Sequence, residues 1–147
     1  MERTEDYPTS VVRALRRAHA ALLEDLRKVE AAVLPASEEG LVELCACLDA
    51  THTHIAEHFR LEEQNGYMDA VRKREPRLER KVQLLAEEHP QLAQSLEALI
   101  REAKAATSLG DVFREEVQAW VERVRQHEAR ENQLVQDAFN LDISAED

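Results

Sequence analysis

The chain is expected to be all-α, an antiparallel up-down-up-down four-helix bundle, and three observations carry that expectation. Only three glycines and four prolines occur in 147 residues, so the many turns of a β fold are hard to supply, whereas the abundant Ala, Leu, Glu, Arg and Gln favour helix. Apolar residues recur in alternating steps of three and four along four stretches. Short turn-forming segments separate those stretches, which forces neighbouring helices to run in opposite directions. A chain of this length suits one domain, 1–147, built round one core.

The first stripe runs Val12, Leu15, His19, Leu22, Leu26, Val29, Val33, and it ends at LPASEEG, residues 34 to 40. A second runs Leu41, Leu44, Leu48, Thr51, Ile55, His58, Glu62 and stops at NGYMDAVRKREP, residues 65 to 76. Inside that connection GYMDAVRKR has the length of a short extra helix, with Pro76 suited to the first turn of the next one. The third stripe runs Leu78, Val82, Leu85, His89, Leu92, Leu96, Leu99 and gives way to ATSLGD, residues 106 to 111. Pro90 falls within it, where it removes a backbone donor and disfavours helical geometry at His89, so a kink is expected. The fourth runs Phe113, Val117, Trp120, Val124, His127, Glu131, Leu134, Ala138; Trp120 and Phe113 read as core.

Nineteen basic residues against thirty acidic ones give a formal net charge of -11, which disfavours nonspecific attraction to nucleic acid or anionic membrane. No apolar run approaches the roughly 20 residues that cross a bilayer. The start, MERTEDYPTS, lacks the basic and apolar regions of a signal peptide, so a cytoplasmic location is expected. Cys45 and Cys47 lie two apart on one helix, where their side chains diverge by about 200°; they are expected to stay reduced rather than pair with each other.

Thr51 aside, each stripe is apolar except for a His, or a His followed four residues later by Glu. In an up-down bundle, two residues on consecutive helices share a level when their numbers are centred on the intervening turn. The midpoint of His19 and His58 falls in the first turn, that of His58 and His89 in the second, and that of His89 and His127 in the third. Four histidines should therefore form one layer, with Glu62 and Glu131 displaced one helical turn to the same side of it. Any one of these, alone, would read as a hydrogen-bonded core residue. Together they include two carboxylates with no Lys or Arg on the stripes to neutralise them, and a buried unpaired carboxylate is strongly disfavoured. A pair of divalent cations bridged by Glu62 and Glu131, each also held by imidazoles, supplies the missing charge and uses every polar group. Ligation by N and O without thiolate suits iron, manganese or zinc; mixed His and carboxylate ligands on a four-helix scaffold put iron first and manganese next.

The order His19, then HFRLE at 58 to 62, EEH at 87 to 89 and HEARE at 127 to 131 resembles the hemerythrin-like, or HHE cation-binding, family in the variant pattern H, HxxxE, H, HxxxE. The resemblance extends through almost the whole chain. It implies a hemerythrin-like bundle with two non-haem iron ions sharing carboxylate and oxo or hydroxo bridges, His19 and His58 serving one iron, His89 and His127 the other, and Glu62 and Glu131 bridging. The chain departs from the oxygen-carrying hemerythrins in two places. Those have a second His one turn away on the third helix, where Leu85 and Ala93 stand here, and their second bridging acid is an Asp at a longer HxxxxD spacing. Iron binding is thus the firmer implication, and reversible oxygen carriage the weaker.

Among the remaining candidates, His54 lies one turn before His58 and within about 40° of it round the helix, placing it as an extra ligand or hydrogen-bond partner, or as a surface histidine. Tyr67 could fold back toward the metal as ligand or donor, or simply pack. His52 and Glu63 point away from the layer and read as solvated. The expected partners are small oxidants, O2 and H2O2. Three functional outcomes stay open: peroxide decomposition by a di-iron centre, a reversible oxygen carrier or an oxygen or iron sensor without turnover, and a metal-free helical interaction module.

Overall fold

The computed structural model describes residues 6–34, 38–64 and 66–139. In chain order they form α1 (Asp6–Val33), α2 (Glu38–Gln64), a short α3 (Tyr67–Arg74), a 3-10 turn (Pro76–Leu78), α4 (Glu79–Ala105) and α5 (Asp111–Phe139). No strand occurs among the described residues. The four long helices have 28, 27, 27 and 29 residues, so each runs the length of the bundle. α1 packs on α2 and α5, and α4 packs on the same two. That closed ring of sequential neighbours is the expected up-down-up-down bundle. No helix among the described residues is long and apolar enough to cross a membrane.

The turn at 106 to 111 lies where the sequence puts it; residues 35–37, the middle of the first expected turn, lie outside the described residues. The helical reading of GYMDAVRKR also holds. α3 buries Tyr67, Met68, Ala70 and Val71, while Arg72 reaches Glu79 at the start of α4 with 3.0 and 3.2 Å bonds. Asp69 in its first turn and Arg72, Lys73 and Arg74 in its last match the helix dipole. α4 runs unbroken through Pro90, which sits on the exposed side of the helix.

Buried side chains fall into two apolar clusters. Leu22, Leu26, Val29, Leu44, Leu48, Ile55, Leu96, Val117, Trp120 and Val124 belong to one, each fully buried aliphatic chain contributing about 1.5–3 kcal/mol. Trp120 Nε1 donates to the Leu92 carbonyl at 3.0 Å. Thr51, the one hydroxyl of the second stripe, donates back to the Cys47 carbonyl at 2.8 Å. Val12, Leu15, Tyr67, Met68, Val71, Leu78, Val82, Leu85 and Leu134 belong to the other. Between the two clusters sits a layer of buried polar side chains. Cys45 and Cys47 are unpaired.

Candidate metal centre

The helical spacing that aims apolar residues inward also aims His19, His58, His89 and His127 inward, all at 8% exposure or less. The rings of His19 and His58 are 5.5 Å apart between centroids, and those of His89 and His127 5.1 Å. Phe59 lies flat on the His89 ring at 3.9 Å and edge-on to His127, which fixes the plane of both. Glu62 and Glu131 complete the layer at 4% and 0% exposure.

These six residues form two groups of four, each with ligand-type atoms within 4.8 Å of one another: His19, His58, Glu62, Glu131, and His89, His127, Glu62, Glu131. The two carboxylates belong to both groups, and their oxygens divide between them. Glu62 Oε2 lies 2.9 Å from His58 Nε2 and 3.5 Å from His19 Nε2, while its Oε1 lies 3.2 Å from His89 Nε2. Glu131 Oε1 lies 3.0 Å from His19 Nε2, while its Oε2 lies 3.1 Å from His127 Nε2 and 3.5 Å from His89 Nε2. Several of these approaches lack hydrogen-bond geometry. His58 Nε2, His89 Nε2 and both oxygens of Glu62 have no hydrogen-bond partner although they are buried.

The outer nitrogens of three rings are held by other helices. His19 Nδ1 faces Asn132 Oδ1 at 3.1 Å, His89 Nδ1 donates to Glu63 Oε2 at 2.5 Å, and His127 Nδ1 donates to Glu88 Oε1 at 2.7 Å. Glu88 is itself gripped by Arg130 through bonds of 2.6 and 2.9 Å. An acceptor at Nδ1 keeps a proton there and turns Nε2 into the layer, the orientation that metal-binding histidines use.

Protonation follows from the same contacts. Burial alone would lower the pKa of His19, but the hydrogen bond to Glu131 and the nearby Glu62 carboxylate reverse it and push it up to about 10. His89 goes the same way, up to about 10, with Glu63 adding to Glu131 and Glu62; His127 is also raised. Burial would raise the Glu131 carboxyl, yet the histidines facing it hold it well below the usual carboxylate range. Protons on His19, His89 and His127 thus hold the layer together, and a cation placed among these atoms would take over their charge. Four imidazoles, two shared carboxylates and several buried donor atoms without hydrogen bonds fit a pair of metal ions.

Among the other candidates, Tyr67 is brought in. At 2% exposure its hydroxyl donates to Glu131 Oε2 at 2.9 Å, and burial followed by the Glu131 charge raises its pKa strongly. His54 is not brought in: its side chain is 59% exposed and bonds Asp25 of α1 at 2.8 Å, because the 40° offset from His58 turns it out of the bundle. His52 bonds Glu97 near the surface. Glu63, expected to be a solvated side chain, is 43% exposed but engages His89. Leu85 is buried in the same apolar cluster as Tyr67 and Leu134, whereas Ala93 is half-buried.

Sequence reasoning also passed over Glu128, at 3% exposure. Burial, offset in part by His19 and His58, raises its pKa to about 7. A helical wheel places it about 60° from Glu131, and that was the available signal. An apolar-walled cavity of about 410 Å³ runs between α1, α2 and the start of α3, and His58, Glu62 and Tyr67 line it together with Ala14, Ala18 and Leu61.

The family model of the hemerythrin HHE cation-binding domain matches residues 10–139. No curated protein and no solved structure matches the chain.

Proposed function

The chain belongs to the hemerythrin HHE cation-binding domain family, and from that premise we propose that it holds two non-haem iron ions and reacts with oxygen or hydrogen peroxide. One observation carries the reading: Glu62 and Glu131 each turn one oxygen toward the His19–His58 pair and the other toward the His89–His127 pair. A carboxylate so placed would serve as a bridging ligand. His19 and His58 would hold one ion, His89 and His127 the other. Manganese or zinc is the alternative occupant of the same imidazole and carboxylate donors.

Iron supplies one-electron redox chemistry between its ferrous and ferric states; the residues supply position, charge and access. Acceptors at Nδ1 hold three rings with Nε2 inward. Apolar clusters on both sides keep bulk water away, which strengthens every electrostatic contact in the layer. Tyr67 holds a proton 2.9 Å from Glu131 Oε2, where it steadies the carboxylate and can donate to a small oxidant arriving beside it. The cavity against His58, Glu62 and Tyr67 gives such molecules a route. The oxygen carriers have another histidine one turn from the position of His89, and the buried Leu85 and half-buried Ala93 at those positions offer no donor, so an ion held by His89 and His127 would have room for a solvent-derived ligand. That room favours peroxide decomposition, two H2O2 yielding two H2O and one O2, over reversible oxygen binding.

Anaerobic reconstitution with ferrous iron, followed by metal analysis, is expected to give about two irons per chain, since the donors exceed what one ion needs. Air oxidation should then produce near-ultraviolet absorption, and added peroxide should release oxygen in steady state. One metal per chain under iron excess would overturn the paired site. Two metals without oxygen release would leave the site and remove the peroxide reaction in favour of a carrier or sensor.

A further inference from the structure

Glu128 is a buried carboxylate that the two groups of four leave out. It follows His127 on α5 and lies on the side of that helix that faces α1, as does Arg125, which bonds Glu30 of α1 at 2.6 and 2.8 Å. Neither of its oxygens has a hydrogen-bond partner, and neither has His58 Nε2, which lies 3.8 Å from Glu128 Oε2. Polar atoms buried side by side without hydrogen bonds are unfavourable unless a cation joins them. Bonds of about 2.0–2.2 Å from one ion would set two donors roughly 3 to 4.2 Å apart, the range in which this pair already stands.

Resting on the paired-iron reading above, we propose that Glu128 is a further ligand of the ion held by His19 and His58, bound to that ion alone. The two positions then differ: two imidazoles and three carboxylates on the α1 side, two imidazoles and two shared carboxylates on the α4 side. A third negative charge strengthens retention of the first ion, and the less filled second position, next to Leu85, is left to meet the oxidant.

The test compares ferrous iron binding by the wild type, Glu128→Gln and Glu128→Ala under anaerobic conditions against a competing chelator, alongside the melting temperature of each apoprotein. In both variants one of the two ions should bind about tenfold or more weakly while the other keeps its affinity. The Glu128→Gln apoprotein should melt no lower than the wild type, because a desolvated carboxylate has been replaced by a neutral group of the same shape. Two ions bound at wild-type affinity by Glu128→Gln would overturn the assignment while leaving the paired site standing. Weakened binding matched by a lower apoprotein melting temperature would show a structural role and overturn it equally. A wild type that takes up no iron in the same titration would overturn both readings.

Discussion

At the scale of single residues, the most consequential atoms are the four oxygens of Glu62 and Glu131, because each carboxylate belongs to both groups of donors. A ligand of one ion and a bridge between two respond differently to removal. Glu62→Ala and Glu131→Ala should each lower iron content from about two per chain to well under one, whereas His19→Ala should weaken chiefly one ion. Metal analysis after gel filtration distinguishes the cases, and loss of a single ion in both glutamate variants would contradict bridging. Leu85 permits a gain rather than a loss. It is buried one turn from His89, so Leu85→His should add a nitrogen to the less filled ion and slow both autoxidation and oxygen release from peroxide. Unchanged rates with two irons bound would show that the open position lies elsewhere. The six inward residues were legible in the sequence because the 3.6-residue period assigns each to a face. His54 was not decidable that way: an offset of about 40° separates a core position from a surface one only when the neighbouring helix is known.

At the scale of the helices, residues next to the inward-facing ones hold the rings of other helices. Asn132 follows Glu131 and reaches His19 on α1; Glu63 follows Glu62 and reaches His89 on α4; Glu88 precedes His89 and reaches His127 on α5. A step of one residue turns about 100° round a helix, enough to leave the layer and face the neighbouring helix. The paired carboxylates LEE and EEH were visible in the sequence, but their partners were not, since which helices adjoin depends on the packing. Glu63→Gln or Glu88→Gln should lower affinity for the His89–His127 ion by about 10–100-fold, read by chelator competition, with the other ion little affected. The link between α2 and α3 is equally constrained. A Cβ at Gly66 would come within 2.8 Å of both the Glu62 Cα and the Leu61 carbonyl oxygen, so Gly66→Ala must shift the turn that carries Tyr67 onto Glu131. It should destabilise the protein by about 1–3 kcal/mol in thermal or urea unfolding, and unaltered stability would show that the turn yields freely.

At the scale of the whole molecule, a polar layer divides the bundle between two apolar clusters, so folding and metal loading act on the same groups. The architecture was readable from stripes and turns alone; the burial of Glu128 and the seating of Tyr67 were not, because α3 had first to be placed against α1 and α5. In the metal-free protein the pKa shifts set the direction of a pH effect. His19 and His89 are raised from 6.5 to about 10, so their contribution is complete below the unfolded value and is lost as pH climbs through the folded one. Glu128, raised from 4.5 to about 7, acts in the same sense: the folded state prefers its protonated form, and stability falls as pH rises from 4.5 to about 7. Glu131 is lowered and opposes them only in acid, below the ordinary carboxylate value of 4.5. The apoprotein should therefore melt at progressively lower temperature between pH 6 and 10. Iron-loaded protein should not follow, because cations replace the protons on the ring nitrogens and bind more tightly as competition from protons falls. Its melting temperature should exceed that of the apoprotein throughout, and the gap should widen with pH, while loading at pH 7 in weak buffer should release protons that an indicator dye can count. Melting curves for the two forms that ran parallel across this range would show that the histidines of the layer do not exchange protons for metal.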